Sequence, residues 1–214
     1  AGVAIYDNGV MRSVATPGHT GSNSIAYSDA SGTLYGFNNE TTEFGFRTMT
    51  VGPSGVSTSS VIGSAFGGFG TTIQYANGLI YASNGAVFDP SLGFTIGTFS
   101  VPWAYYGLSA ITPDVGAGFA YGASGNTLTI FDLNTFVPLS SYTLDSLTGS
   151  VNEILLTDNG GLGIRSSSKQ LFLLTPVPEP SAWIMMATGI LCIVFVTRQR
   201  RLVIERSNRL PVPA

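Results

Sequence analysis

Through residue 175 apolar positions alternate with small or polar ones, and Gly, Asn, Asp or Pro interrupts every few residues. A period near two places successive side chains on opposite faces of a strand, and no stretch before residue 175 keeps the 3.6-residue period of an amphipathic helix. The alternation predicts strands over 3–6, 10–15, 24–27, 33–37, 44–51, 72–75, 79–82, 86–88 and 94–99. It continues with 108–111, 118–121, 127–131, 139–143, 153–156, 161–164 and 170–174. Asp7-Asn8-Gly9, Asn77-Gly78, Asn84-Gly85 and Asp158-Asn159-Gly160-Gly161 supply turn residues that tolerate positive φ. Residues 57–70 are small, Gly-rich and aperiodic, and read as a long loop.

At residue 176 the pattern changes. Pro176-Val177-Pro178-Glu179-Pro180-Ser181 is a stiff segment whose three prolines cannot donate to a ladder. Residues 182–197 contain no charge and read as a membrane helix rising about 24 Å, against a hydrocarbon core of ~30 Å. Trp183 at one end and Arg198, Arg200 and Arg201 at the other are suited to the two interfaces. Arginines directly after an apolar span mark the cytoplasmic side, which puts the body across the membrane. The organisation expected is a body over 1–175, a spacer over 176–181, a span over 182–197 and a basic cytoplasmic tail over 198–214.

A faint repeat runs through the body. An aromatic followed by Asp or Asn recurs at Tyr6-Asp7, Phe37-Asn38, Phe88-Asp89 and Phe131-Asp132, at intervals of 31, 51 and 43 residues. Residues 75–89 and 119–132 share an order: a strand, a short Gly/Asn turn, and a second strand ending in aromatic-Asp. Each unit is a small antiparallel meander that cannot bury both faces alone, so neighbours must stack. The spacing is near that of propeller blades. The fold class expected is all-β, a partial or irregular β-propeller-like body, with a β-sandwich, jelly roll or solenoid as alternatives. The strands over 3–6 and 10–15 offer one way to close a ring, by pairing beside 170–174.

Charge separates along the chain. Four basic residues up to residue 176 (Arg12, Arg47, Arg165 and Lys169) face ten acids, whereas Arg198, Arg200, Arg201, Arg206 and Arg209 all lie beyond the span. An acidic body without a basic stripe argues against nucleic acid. The single cysteine, Cys192, lies inside the apolar span, so no intrachain disulfide is possible. The chain opens Ala1-Gly2-Val3 with neither an initiator Met nor a basic n-region. An exported body needs a signal peptide, so a truncated N-terminus is expected.

Candidate chemistry is sparse. The one histidine, His19, sits in a loop by composition, and no Gly-x-Ser-x-Gly elbow exists. Ser124 reads as a hairpin turn. One His and one Cys cannot supply a zinc site. Asp7, Asp29, Asp89, Asp114, Asp132 and Asp158 lie in or beside turns; Ca2+ is conceivable there, but Asx turns account for them better. Glu40, Glu43 and Glu153 read as surface acids. Gly67-Gly68-Phe69-Gly70 lacks the lysine and the helix of a phosphate cradle. Trp103, Tyr105 and Tyr106 form the cluster best suited to stacking on sugar rings, although connecting aromatics more often plug the core between blades. No catalytic, cofactor or metal residue is assigned.

Val177-Pro178-Glu179-Pro180-Ser181, the apolar span and the arginine cluster resemble, in that order, the PEP-CTERM sorting signal of exported bacterial proteins. The same tail also goes by the label "ice-binding protein C-terminal domain", which says nothing about ice. The resemblance implies recognition by an exosortase, a membrane cysteine transpeptidase that cuts near Pro-Glu-Pro, with release to the cell surface or exopolysaccharide matrix. Residues 202–214 continue past the arginines, where the family usually stops, and an ordinary tail anchor with a proline-rich neck is the alternative. The body resembles irregular propellers of the WD40, YVTN or NHL kind but carries none of their signature motifs. The function expected is non-catalytic, structural or binding, with a secreted propeller glycosidase or lyase as the alternative.

Overall fold

Alternation becomes strand wherever one face finds a neighbour to cover it, and that rule reproduces most of the body. The computed structural model describes residues 2–18, 21–104 and 107–175. The predicted span and its flanks lie outside the described residues, as do His19, Tyr105 and Tyr106. The compact unit that holds the body is Ala1–Thr175.

A short hairpin, β1 (Tyr6–Asp7) and β2 (Val10–Met11), comes first. Blade 1 is a four-stranded meander of β3 (Ser24–Ser28), β4 (Thr33–Phe37), β5 (Phe46–Gly52) and β6 (Gly55–Ile62). Blade 2 repeats it with β7 (Ile73–Ala76), β8 (Leu79–Ala82), β9 (Ala86–Asp89) and β10 (Phe94–Thr98). Blade 3 has β11 (Ala110–Asp114), β12 (Phe119–Ser124), β13 (Thr127–Asp132) and β14 (Pro138–Thr143). Blade 4 has three strands: β15 (Val151–Leu156), β16 (Leu162–Ser166) and β17 (Leu171–Leu174). All ladders within these sheets are antiparallel. Every full blade carries a register shift between its third and fourth strands, at Thr48/Met49, Thr95/Gly97 and Ile130/Phe131. Such bulges strengthen the twist that stacked blades need.

The inner strands of neighbouring blades meet. β3 lies beside β7, β8 beside β11, and β11 beside β15. Their polar groups stitch the blades: Ser24 Oγ accepts from Ile73 N (2.9 Å), Thr112 Oγ1 donates to Gln74 Oε1 (3.0 Å), and Ser109 Oγ donates to Val151 O (2.7 Å). Three of the four core clusters lie between blades, and the fourth lies between blade 1 and the N-terminal segment. Each of the three is completed by apolar residues from the connection joining two blades: Phe66 in the first, Phe99 and Val101 in the second, Leu147 in the third. Gly85, at φ +97°, shows how tightly a connection docks, because a Cβ there would lie 2.2 Å from Phe99 O. Gly97 serves the same end, its missing side chain making room for the ring of Phe136.

Three sequence expectations are corrected. Residues 57–62 are not loop but most of β6; this outer strand is exposed and Ser/Thr-rich, so it shows no buried period although it pairs along the whole of β5. The N-terminal strands do not pair beside β17. Val14 bridges Gly55, Arg12 Nη1 donates to Gly52 O (2.8 Å), and Val3 packs with Leu34, Met49 and Val56, so this segment covers the outer face of blade 1. The aromatic-Asp markers are not equivalent either. Phe88-Asp89 and Phe131-Asp132 end third strands, whereas Phe37-Asn38 ends a second strand. The corresponding turn of blade 1 is Gly52-Pro53-Ser54-Gly55, which explains the uneven intervals. Separate meanders stacked through their faces also exclude the sandwich alternative, in which two sheets share one core.

Candidate functional site

The sorting residues Val177, Pro178, Glu179, Pro180 and Ser181, and the orienting Arg198, Arg200 and Arg201, lie outside the described residues. Of the aromatic cluster, Trp103 is described: it sits in the β10–β11 connection, 58% exposed, between buried Val101 and partly buried Ala104. Tyr105 and Tyr106 fall outside the described residues, so the three are not seen brought together.

The turn aspartates support their own backbone. Asp89 Oδ1 accepts from Ser91 N (2.8 Å), Ser91 Oγ (2.6 Å) and Leu92 N (3.1 Å). Asp132 Oδ1 accepts from Asn134 N, Thr135 N and Thr135 Oγ1. These bonds favour the charged form, and both carboxyls are held below their ordinary range, Asp89 chiefly by the Ser91 hydroxyl and Asp132 chiefly by the Thr135 amide. Asp114 Oδ1 accepts from Ala117 N (2.9 Å). Asp7 is bound by both Arg12 Nε (2.7 Å) and Nη2 (2.9 Å), which lowers its pKa as well.

Among the clefts formed by the described residues, three indent the body next to candidate polar side chains. The first, about 300 Å³, is lined by residues of β7, β11 and β15; Gln74, Asn152, Glu153 and Arg165 border it. Its one carboxylate, Glu153 on β15, accepts from Arg165 Nε at 2.8 Å. The second, about 380 Å³, lies at the rim of blade 1 around Asn38, Glu40, Glu43 and Arg47. Glu43 grips the Arg47 guanidinium through both oxygens (2.8 and 2.9 Å) and also accepts from Asn38 Nδ2 (2.7 Å). Phe44, at φ +42°, turns the chain between the partners.

The third cleft, about 430 Å³, runs between blades 1 and 2. Tyr75 of β7 stacks on Tyr35 of β4 (centroids 5.5 Å apart, planes 22° apart), and Tyr35 stacks in turn on Phe46 (5.6 Å, 20°). Burial first, and then the neighbouring Tyr75, push the Tyr35 hydroxyl above its ordinary pKa, partly offset by a hydrogen bond with Ser31. Thr48, Asn77, Asp89 and Ser91 complete the rim, and among the described residues no Lys or Arg borders it. Asn77 and Gly78, at φ +48° and +85°, form the two-residue turn that carries the chain from Tyr75 back along β8. Sequence reading missed this groove, because in an alternating strand Tyr35 and Tyr75 cannot be told from core aromatics; only the turn signal Asn77-Gly78 was visible.

Residues 176–201 match the PEP-CTERM protein-sorting motif, an element that implies an exported protein handled by an exosortase. By sequence, no curated protein matches the chain. By structure, the body is similar to the WD40 β-propeller domain of Doa1, with a TM-score of 0.60 at 11% identity over 82% of this chain and 58% of that one. It is similar too to the β-propeller domain of Cps50 (Swd1) from Myceliophteria thermophila, with a TM-score of 0.57 at 12% identity over 77% of this chain and 61% of that one. The chain thus spans about three-fifths of the length of either propeller. At such identities the likeness establishes the fold alone: the body is all-β and propeller-like, and it is followed by a PEP-CTERM sorting motif.

Proposed function

We propose that this chain is an exported surface or matrix protein whose propeller-like body is a non-catalytic structural or binding module, delivered as the substrate of an exosortase. The observation that carries the reading is the sorting motif over 176–201. In this scheme residues 182–197 hold the precursor in the bilayer, Arg198, Arg200 and Arg201 keep the tail inside, and Pro178-Glu179-Pro180 is the element recognised for cutting. The released body then resides among exopolysaccharide at the cell surface.

The clefts support a non-catalytic body. A carboxylate pair that cleaves glycosides needs two acids facing across the substrate at about 5–10 Å. The cleft along the first strands offers Glu153, and this acid is bound to Arg165. The rim cleft of blade 1 is lined by two acids, Glu40 and Glu43, of which Glu43 is bound to Arg47, and in the third cleft Asp89 is bound to its own turn. Replacing Pro178-Glu179-Pro180 with alanines in a tagged full chain, expressed in a host with its exosortase, should leave the protein untrimmed and in the membrane fraction. Trimming and release equal to the parent's would overturn the assignment.

A further inference from the structure

We propose that the groove between blades 1 and 2 binds a neutral saccharide unit, with Tyr75 as the stacking platform and the surrounding hydroxyl, amide and carboxylate groups as hydrogen-bonding partners. This concerns the body alone and stands whether or not the tail is cut.

Size comes first. A groove of about 430 Å³ falls within the range of small-molecule sites and can hold one or two pyranose rings. Its floor is already built: Phe46, Tyr35 and Tyr75 form a three-ring stack, so Tyr75 is held in place from beneath, and it is half-buried at the groove wall. A preset ring loses little freedom when a flat apolar partner lands on it, and the C–H face of a sugar is such a partner.

The rim chooses the class of ligand. With no Lys or Arg among the described residues that line it, the groove presents no cation to an anion, unlike the other two clefts, which are bordered by Arg165 and Arg47. Its one carboxylate is a weak lure for a cation, because Asp89 Oδ1 already accepts three hydrogen bonds from residues 91 and 92. Asp89 Oδ2 takes no part in these bonds, and a sugar hydroxyl can donate to it. Ser31 Oγ and Ser91 Oγ, whose protons go to Ser28 or Thr33 and to Asp89, are left as acceptors, while the amide of Asn77 and the Tyr35 hydroxyl both donate and accept, as a ring of alternating sugar hydroxyls requires. An uncharged, polyhydroxylated ring with one apolar face satisfies all of these groups. Trp103, in the β10–β11 connection, does not line this groove, so the two aromatic sites are separable by mutation.

The test uses the full chain in micelles of a detergent without a sugar headgroup, titrated with the methyl glycosides of glucose, galactose and mannose. Tyrosine-ring NMR shifts report binding, and glucuronate serves as the charged comparison. At least one neutral glycoside should give saturable shifts with Kd of about 1–10 mM, as expected for so small a ligand, and glucuronate should bind more weakly. Tyr75→Ala should weaken binding about tenfold, while Tyr75→Phe keeps the stack and most of the affinity. Thr48→Arg fills the groove from β5, directly across the ladder from Tyr35, while leaving all three rings present, so it should abolish binding even if Tyr75→Ala proves unstable. Trp103→Ala should change nothing. The proposal is overturned if no glycoside gives a saturable shift, if Thr48→Arg binds as the parent does, if Trp103→Ala removes the response, or if glucuronate binds as tightly as the neutral sugars.

Discussion

The junction between blades 1 and 2 and the junction between blades 3 and 4 solve one packing problem with different side chains. The first is built from rings: Phe37 on Phe66 (4.2 Å), Phe46 on Phe88 (4.7 Å), Phe66 on Phe88 (5.6 Å) and the Phe46–Tyr35–Tyr75 stack. The second is aliphatic at its centre: Ala110, Ala123, Leu128, Val151, Ile154, Leu162 and Ile164, with Leu147 inserted from the connection. Strand order and the apolar insertion from the connection are common to both. What repeats in this body is therefore a backbone plan, and residue identity is free to differ so long as each gap is filled. The aromatic junction is also the one with the tyrosine-lined groove at its edge.

The sharpest way to break this comparison is to empty each junction in turn. Phe88 is fully buried and touches two other rings, so Phe88→Ala should lower the unfolding free energy by about 3–5 kcal/mol. Ile154, equally buried, loses one methyl group in Ile154→Val and should cost about 1 kcal/mol. Urea unfolding followed by tyrosine fluorescence measures both. Equal losses would mean that the ring cluster has no special place in the body's stability.

The blades differ in how plainly the sequence announced them. Strands 33–37 and 79–82 were legible to the residue, because Asn77-Gly78 and similar turns bracket short apolar runs that are buried almost end to end. β6 was not, since five of its eight residues, Ser57 to Val61, face solvent and its partner supplies the backbone bonds. The fate of the N-terminal segment was equally hidden: apolar Val3 and Ile5 are compatible with β17 or with the face of blade 1, and the choice falls to tertiary contacts with Leu34, Met49 and Val56. The sorting motif was legible, because Pro-Glu-Pro, the apolar stretch and the arginines follow one another in a single linear segment that resembles the signal without any help from the fold. The groove was not, because it depends on Tyr35 and Tyr75, from different blades and 40 residues apart in the chain, meeting at 5.5 Å.

A second pair sharpens the comparison with electrostatics. Glu43–Arg47 and Glu153–Arg165 have the same closest distance, 2.8 Å, but the Arg47 side chain is 8% exposed and that of Arg165 60%. Glu43→Ala strands a buried guanidinium and also removes an acceptor from Asn38, so a loss of about 2–3 kcal/mol is expected. Glu153→Ala removes a screened surface contact and should cost less than about 1 kcal/mol. If raising the salt concentration weakens the parent but not Glu153→Ala, the surface pair contributes as expected; a Glu153→Ala loss as large as that of Glu43→Ala would show that burial does not set the difference.

The smallest effect concerns pH and separates blades 2 and 3 from blade 1. Asp89 and Asp132 close the turns before β10 and β14, and both are held below the ordinary carboxylate value of 3.8 by hydrogen bonds to the charged form. A carboxyl with a depressed folded pKa contributes stability that is fully present above its unfolded pKa and is lost as pH falls through the folded value. Acidification from about pH 5 to below about pH 3 should therefore loosen the outer hairpins of blades 2 and 3. The matching turn of blade 1, Gly52-Pro53-Ser54-Gly55, contains no carboxylate, so β6 should keep its protection over the same interval. Both aspartates are only partly buried and sit in turns at the ends of outer hairpins, so the change is a local fraying rather than global unfolding. Amide exchange, corrected for the intrinsic pH dependence, reads it directly: protection over 94–98 and 138–143 should fall before that over 55–62. Asp89→Asn and Asp132→Asn should each flatten the response of their own hairpin alone. A uniform loss across all three outer strands would instead place the acid sensitivity in something the blades share, and the aspartate turns would then be incidental to it.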